Sequence, residues 1–219
     1  YKRISIIGME KNVGKTTLLN KLIADIGTNK KLGLTSIGRD GEDIDVVTNT
    51  DKPRIYVRRG SIIATGRNCL AKCDITKEIL YVTDFTTPMG SIVIVRALSD
   101  GYVDIAGPSY NKQVKIVVEL MEKFGSEISI VDGALGRKST AISDVSEATI
   151  LSTGAALSLD MLKVVEETKK TVYFLKLDEA EKNIKDRVEE LRDKKAVLFY
   201  KNGEVAILEV DNSIDLSNI

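Results

Sequence analysis

Residues Gly8 to Thr17 read Gly-Met-Glu-Lys-Asn-Val-Gly-Lys-Thr-Thr and follow the apolar run Ile4-Ser5-Ile6-Ile7. A strand that feeds a glycine-bearing turn and then a helix points successive backbone N–H groups inward, and such a nest holds phosphate oxygens. The helix adds the positive end of its dipole. In this chemistry Gly8, Lys11, Asn12, Val13, Gly14 and Thr17 supply the loop and its amides. Lys15 reaches the β- and γ-phosphates of a nucleotide, and the Thr16 hydroxyl completes a Mg²⁺ shell. Gly14 lets the backbone approach a phosphate with no Cβ in the way.

Two further segments supply carboxylates. Glu127-Ile-Ser-Ile-Val-Asp132-Gly133-Ala134-Leu135-Gly136 is an apolar run ending in Asp-Gly. Asp132 there suits the second half of a nucleotide site, accepting from Mg²⁺-bound water or from Thr16. Gly133 lets the following loop come close to a γ-phosphate. The other segment is Gly38-Arg39-Asp40-Gly41-Glu42-Asp43-Ile44-Asp45, an acidic cluster straight after the apolar run that ends at Ile37. In open α/β sheets ligands bind off the carboxyl ends of strands. The cluster is therefore expected beside the glycine loop. Asp40 comes first, and Asp43 second, as the group that holds Mg²⁺ through water or orients the attacking water. The expected catalytic set is Lys15, Asp40 and Asp132, and the expected metal set is Thr16, Asp40 and Asp132.

Composition narrows the alternatives. The chain has 219 residues, enough for one α/β domain with an appendage. Lys+Arg and Asp+Glu number 32 each, so there is no basic footprint for nucleic acid or an anionic membrane. No apolar run reaches membrane-span length, no signal peptide is legible, and a cytoplasmic location is expected. Histidine is absent, which removes histidine bases, triads and metal ligands. Cys69 and Cys73 are half of a zinc site at most, and two reduced thiols are the expected state.

These groups need elements to hold them. A strand is expected over 3–7, a helix over 15–25 with Leu18, Leu19, Leu22, Ile23 and Ile26 at helical spacing, and a strand over 32–37. Residues 53–107 read as a β-rich insertion with hairpins at 54–58/61–65 and 91–97/102–106 and a short helix over 74–82. Arg58 and Arg59 on the first hairpin are available to an anion. An amphipathic helix spans 111–124 through Val114, Val117, Val118, Met121 and Phe124. Residues 137–158, rich in Ser and Thr, are expected to line the substrate side of the nucleotide. A helix over 160–168, a strand over 171–177, a helix over 179–194 and a hairpin at 196–200/204–208 complete the chain. The division this implies is a nucleotide-binding domain over 1–170 and a small α/β appendage over 171–219.

The spacing in the first loop is one residue longer than the usual phosphate-loop pattern, with five residues between Gly8 and Gly14. In that respect the loop resembles dethiobiotin synthetases. Lys11-Asn12-Val13-Gly14-Lys15-Thr16-Thr17 also resembles the loop of the molybdopterin-guanine dinucleotide biosynthesis GTP-binding protein. Asp132-Gly133-Ala134-Leu135-Gly136 is similar to the Glu-Gly-Ala-Gly-Gly of dethiobiotin synthetases. Both families belong to one class of P-loop proteins that includes switches, ligases and metallochaperones. The resemblance implies an α/β, P-loop NTPase-like fold with a mostly parallel sheet, β-hairpin insertions and a small C-terminal appendage. The signature lysine of the class's ParA-type members falls at Glu10 here, which argues against their dimer. Leu175-Lys176-Leu177-Asp178 lacks the asparagine of the guanine-reading Asn-Lys-x-Asp, so ATP is expected ahead of GTP. Over longer stretches, 33–50, 91–109 and 130–154, the chain resembles the lysine 5,6-aminomutase reactivase small subunit family. That resemblance implies a Mg²⁺-nucleotide-driven chaperone that helps an adenosylcobalamin-dependent aminomutase shed damaged corrinoid, together with a second reactivase subunit or as a homodimer. The alternatives are an ATP-dependent ligase, with Lys138 and Ser139 beside the substrate, and a GTP-binding metallochaperone.

Overall fold

The computed structural model describes residues 1–38, 54–133, 145–178, 180–191, 197–200 and 202–208. In chain order its elements are β1 (Arg3–Gly8), α1 (Lys15–Ile26), β2 (Leu32–Ser36), β3 (Ile55–Val57), β4 (Ile62–Gly66), α2 (Arg67–Leu70), β5 (Lys77–Thr87) and β6 (Gly90–Ala97). They continue with β7 (Gly101–Val103), α3 (Asn111–Lys123), β8 (Ile128–Asp132), β9 (Ala148–Ser152), α4 (Met161–Leu175), α5 (Lys182–Glu190), β10 (Val197–Phe199) and β11 (Val205–Ile207). The chain divides into two compact units, Tyr1–Val172 and Tyr173–Ile219.

The first unit is α/β, built on a seven-stranded sheet in the order β5-β6-β4-β2-β8-β1-β9. The ladders from β4 through β9 are parallel, and β6 and β5 add antiparallel strands at one edge. β2 and β4 are buried along their whole length. Strands buried on both faces read as near-continuous small and apolar residues, as these do. On one face Leu19 and Ile23 of α1 join Ile6, Leu34, Ile63, Val95 and Ile130 in a single core, and the two-stranded ribbon β3–β7 packs into the same core through Ile55, Val57 and Val103. On the other face the stripe Val114, Val117, Val118 and Met121 of α3 covers Ile62, Ala64, Ile92, Ile94 and Val131. Each of these buried valine, leucine, isoleucine and methionine side chains contributes roughly 1.5–3 kcal/mol over leaving it in water.

Several expectations need correction. The segments 54–58 and 61–65 are not a hairpin, and neither are 91–97 and 102–106. β4 pairs in parallel with β2 and antiparallel with β6, while β3 pairs with β7. β4 is apolar on both faces and belongs in the sheet interior, whereas β3 alternates buried and exposed and suits a surface ribbon. The expected helix over 74–82 is absent, and its residues from Lys77 onward form the first half of the long strand β5. Its β-branched and aromatic residues favour the pleated surface next to β6. The expected strand over 171–177 is instead the end of α4, which runs to Leu175. Extending a helix already begun costs far less than starting a strand that has no sheet neighbour. Asp160 starts that helix by accepting the Leu162 N–H at 2.9 Å. β9, inside the Ser/Thr-rich stretch, was not expected as a strand.

In the second unit β10 and β11 form the expected antiparallel hairpin. Arg187 of α5 donates to the Gly203 carbonyl at 3.1 Å and stacks over the Phe199 ring. No helix among the described residues is long and apolar enough to cross a membrane.

Residues 104–108 cross the carboxyl ends of β4 and β2 as a buried strap. Thr65 Oγ1 donates to the Asp104 carbonyl and accepts the Ala106 N–H. The Gly107 N–H donates to Ser36 Oγ at 2.8 Å, and the Gly38 N–H donates to the Pro108 carbonyl at 2.8 Å. A Cβ on Gly107 would overlap the Ser36 carbonyl oxygen. Gly107→Ala is therefore expected to destabilise the protein by about 2–3 kcal/mol. Urea unfolding measures this, and an unchanged midpoint would show that the strap tolerates a side chain.

Candidate functional site

β1 and β8 run parallel with Ile6 opposite Asp132, so the loops that leave their carboxyl ends begin as neighbours. The Gly133 N–H donates to the Ile6 carbonyl at 2.8 Å. On the other flank Gly8 stands opposite Ser152 of β9, and the Met9 N–H donates to the Ser152 carbonyl at 2.9 Å. Strands on both sides thus hold the start of the glycine loop.

Within the loop, Asn12 and Gly14 adopt left-handed backbone, with φ of 59° and 85°. Asparagine is among the few non-glycine residues that accept this region readily. Gly14 is the N-cap of α1, makes no side-chain capping bond, and has no acidic residue after it in the first turn. The first N–H groups and the positive helix end therefore face outward without a carboxylate of that turn upon them. Lys15 Nζ donates to the Glu10 carbonyl at 3.1 Å. Its side chain crosses directly over Gly8, where a Cβ would stand 2.7 Å from both Nζ and Val13 Cγ2. A side chain at position 8 would displace the lysine from this path. Thr16 lies half-buried in the first turn of α1, and Thr17, Lys11 and Asn12 are exposed.

Asp132 ends β8 with its carboxyl recessed. Burial pushes it up to about 6, and the positive charge of Lys15 pulls the other way. The structure therefore brings Gly8, Val13, Gly14, Lys15, Asp132 and Gly133 to one end of two adjacent strands. Gly133 itself is buried with room to spare, since a Cβ there would make only ordinary contacts.

Asp40, Asp43, Ala134, Leu135, Gly136, Lys138 and Ser139 lie outside the described residues. Arg58 and Arg59 sit in the turn before β4, at the amino end of a strand parallel to β2 and thus at the opposite end of the sheet from Gly8. There the Arg59 N–H donates to Asp100. The Cys73 thiol donates to the Cys69 carbonyl, and burial pushes it up from its ordinary value. Among the described residues no group of three or more cysteine and carboxylate side chains is arranged to hold a metal. A Mg²⁺ ion bound through one hydroxyl, phosphates and water-mediated carboxylates needs no such group. The donors here, a half-buried threonine hydroxyl and a recessed carboxylate beside a lysine, fit that mode.

Sequence reasoning missed three supports of the site: β9 with Ser152, the strap at Gly107, and Asn20 on α1. The last carried a signal, because asparagine is a poor residue for a helix interior unless its amide has a partner. Compared with protein families, curated proteins and solved structures, the chain matches none.

A carboxyl with a raised folded-state value stabilises most when protonated. Its contribution is full at low pH and is lost as pH rises from the ordinary 3.8 to about 6. Carboxyl NMR titration is expected to find Asp132 with a midpoint of about 6, and a higher midpoint in Lys15→Ala. A midpoint in the ordinary aspartate range would contradict the recessed geometry.

Proposed function

We propose that the chain binds a Mg²⁺-nucleoside triphosphate at the Gly8–Thr17 loop, in a P-loop NTPase-like fold, and hydrolyses it as a switch. The observation that carries this reading is the meeting of three features at the carboxyl ends of adjacent parallel strands. They are the left-handed turn at Gly14, Lys15 crossing Gly8, and the recessed Asp132. That is the part of an α/β sheet where ligands bind.

In this reading the amides from Lys11 to Thr17 cradle the phosphates, and Gly133 borders them. Lys15 leaves the Glu10 carbonyl for the β- and γ-phosphates. Thr16 and Asp132 hold Mg²⁺, the threonine directly and the carboxylate through water. Asp40 is the further carboxylate proposed from the sequence. Bound Mg²⁺ neutralises charge that develops on the transferring phosphoryl group. Asp132 must give up its proton to accept from metal-bound water, so the site favours binding above the titration of that carboxyl.

The resemblance to the reactivase family supports a narrower reading. Hydrolysis, with ATP ahead of GTP, would reopen an adenosylcobalamin-dependent lysine or ornithine aminomutase alongside a second reactivase subunit, in the cytoplasm.

Calorimetric titration with Mg-ATP and Mg-GTP tests the site. Lys15→Ala is expected to weaken binding by at least about tenfold, the scale of one charge-assisted hydrogen bond. Affinity for the Mg²⁺ complex is expected to fall as pH drops below about 6. Affinity indifferent to Lys15→Ala would place the nucleotide elsewhere. Turnover stimulated by an aminomutase supports the narrower reading, and turnover that requires a small acid or amine points instead to an ATP-dependent ligase.

A further inference from the structure

Asn20 lies on α1 four residues after Thr16, one helical turn further along the same face. Its amide is committed to the backbone of β3. Asn20 Nδ2 donates to the Arg54 carbonyl at 3.1 Å, and Asn20 Oδ1 accepts the Tyr56 N–H at 3.1 Å. Ile55 and Val57 pair with Val103 and Gly101 on the other side, so residues 54 and 56 present their polar groups at the edge of β3 away from β7. One side chain of the helix therefore stands where a neighbouring strand would.

The ribbon leads on to the site's other wall. β7 runs into the strap at residues 104–108, whose bonds reach Thr65, Ser36 and Gly38. Beside it the Ile37 N–H donates to the Asp132 carbonyl at 2.8 Å. Hydrogen bonds joined by short stretches of chain thus run from the helix that follows the glycine loop, through β3, β7 and the strap, to the backbone of Asp132.

We propose that Asn20 is a positioning residue that couples occupancy of the glycine loop to the order of the β3–β7 ribbon. This rests on the nucleotide reading above. A phosphate on the first turn of α1 fixes that helix, and Asn20 passes the constraint to a three-residue strand that has little cooperativity of its own. By linkage, a looser ribbon lowers nucleotide affinity by the factor through which nucleotide tightens the ribbon. The ribbon keeps other attachments. Arg54 pairs with Asp74 and donates to the Lys72 carbonyl, Tyr56 donates to Asp100, and Ile55 and Val57 are buried. Removing the Asn20 amide should therefore uncouple the ribbon and leave the fold in place.

Hydrogen exchange on the full chain, alone and with saturating Mg-ATP or Mg-GTP, reads both ends of the linkage. In the unaltered protein, exchange is expected to slow in α1 and, by about tenfold, in β3 and β7. In Asn20→Ala the slowing in α1 persists and the ribbon no longer responds. Asn20→Asp keeps the size and the acceptor for Tyr56 but cannot donate to the Arg54 carbonyl. It is expected to lose most of the response and carries the test should the alanine variant not fold. An undiminished ribbon response in these variants overturns the coupling, as does a response confined to α1 in the unaltered protein. If no nucleotide protects α1 in the unaltered protein, the nucleotide reading falls, and the coupling with it.

Discussion

The parallel ladder of β8, β1 and β9 governs everything at the carboxyl end of the sheet. β1 feeds the glycine loop, and it is paired on both edges, with β8 over residues 3–6 and with β9 over residues 4–8. Its central position fixes where the loop starts, which strand ends flank it, and which carboxylate lies near its lysine. A shift of one residue in the β1–β8 register would turn every side chain of one strand to the other face. Ile6 or Ile130, according to which strand slipped, would leave the core they share with α1, and Asp132 would no longer stand opposite Ile6. The register is held by hydrophobic burial, so the chemistry at the strand ends inherits its precision from the core.

The sheet separates two kinds of work. α3 closes one face with an apolar stripe, and Arg3 of β1 ties the helix by donating twice to Glu122 at 2.7 Å. The other face carries α1 and the β3–β7 ribbon, where side chains bond to backbone across elements far apart in sequence. Polar links of this kind fix geometry more finely than apolar contact, because each depends on direction as well as distance. The helix that follows the glycine loop is thus tied to the ribbon by directional bonds as well as by burial.

The glycine loop, α1, α3 and the strand ending at Asp132 were legible because each is specified locally. Turn residues, helical spacing and an apolar run announce them without reference to the rest of the chain. The region from Ile55 to Val103 was legible as β structure but not in its pairing. Alternation tells which residues form strands, while partners are chosen by burial on both faces, which is why β4 enters the sheet between β2 and β6. β9 was hidden because Ala148-Thr-Ile-Leu-Ser152 is short and sits at the sheet edge among hydroxyl residues. Thr171 to Leu175 misled through intrinsic strand preference, overridden once a capped helix was already running into them. At the site itself, Lys15 and Asp132 were foreseeable from spacing. The recess that perturbs Asp132 depends on packing that only the fold supplies.

If the loop holds a nucleotide as proposed above, the bond from Lys15 to the Glu10 carbonyl sets a threshold for what can bind. Its ammonium is parked on its own backbone, so an incoming group must better a neutral acceptor already within reach. A carbonyl or hydroxyl oxygen offers nothing stronger and gains little by the exchange. A phosphate does, since an anionic acceptor adds the coulombic attraction of a full opposite charge to the hydrogen bond. On the nucleotide reading proposed above, the parked lysine would discriminate by charge and not by a steric gate.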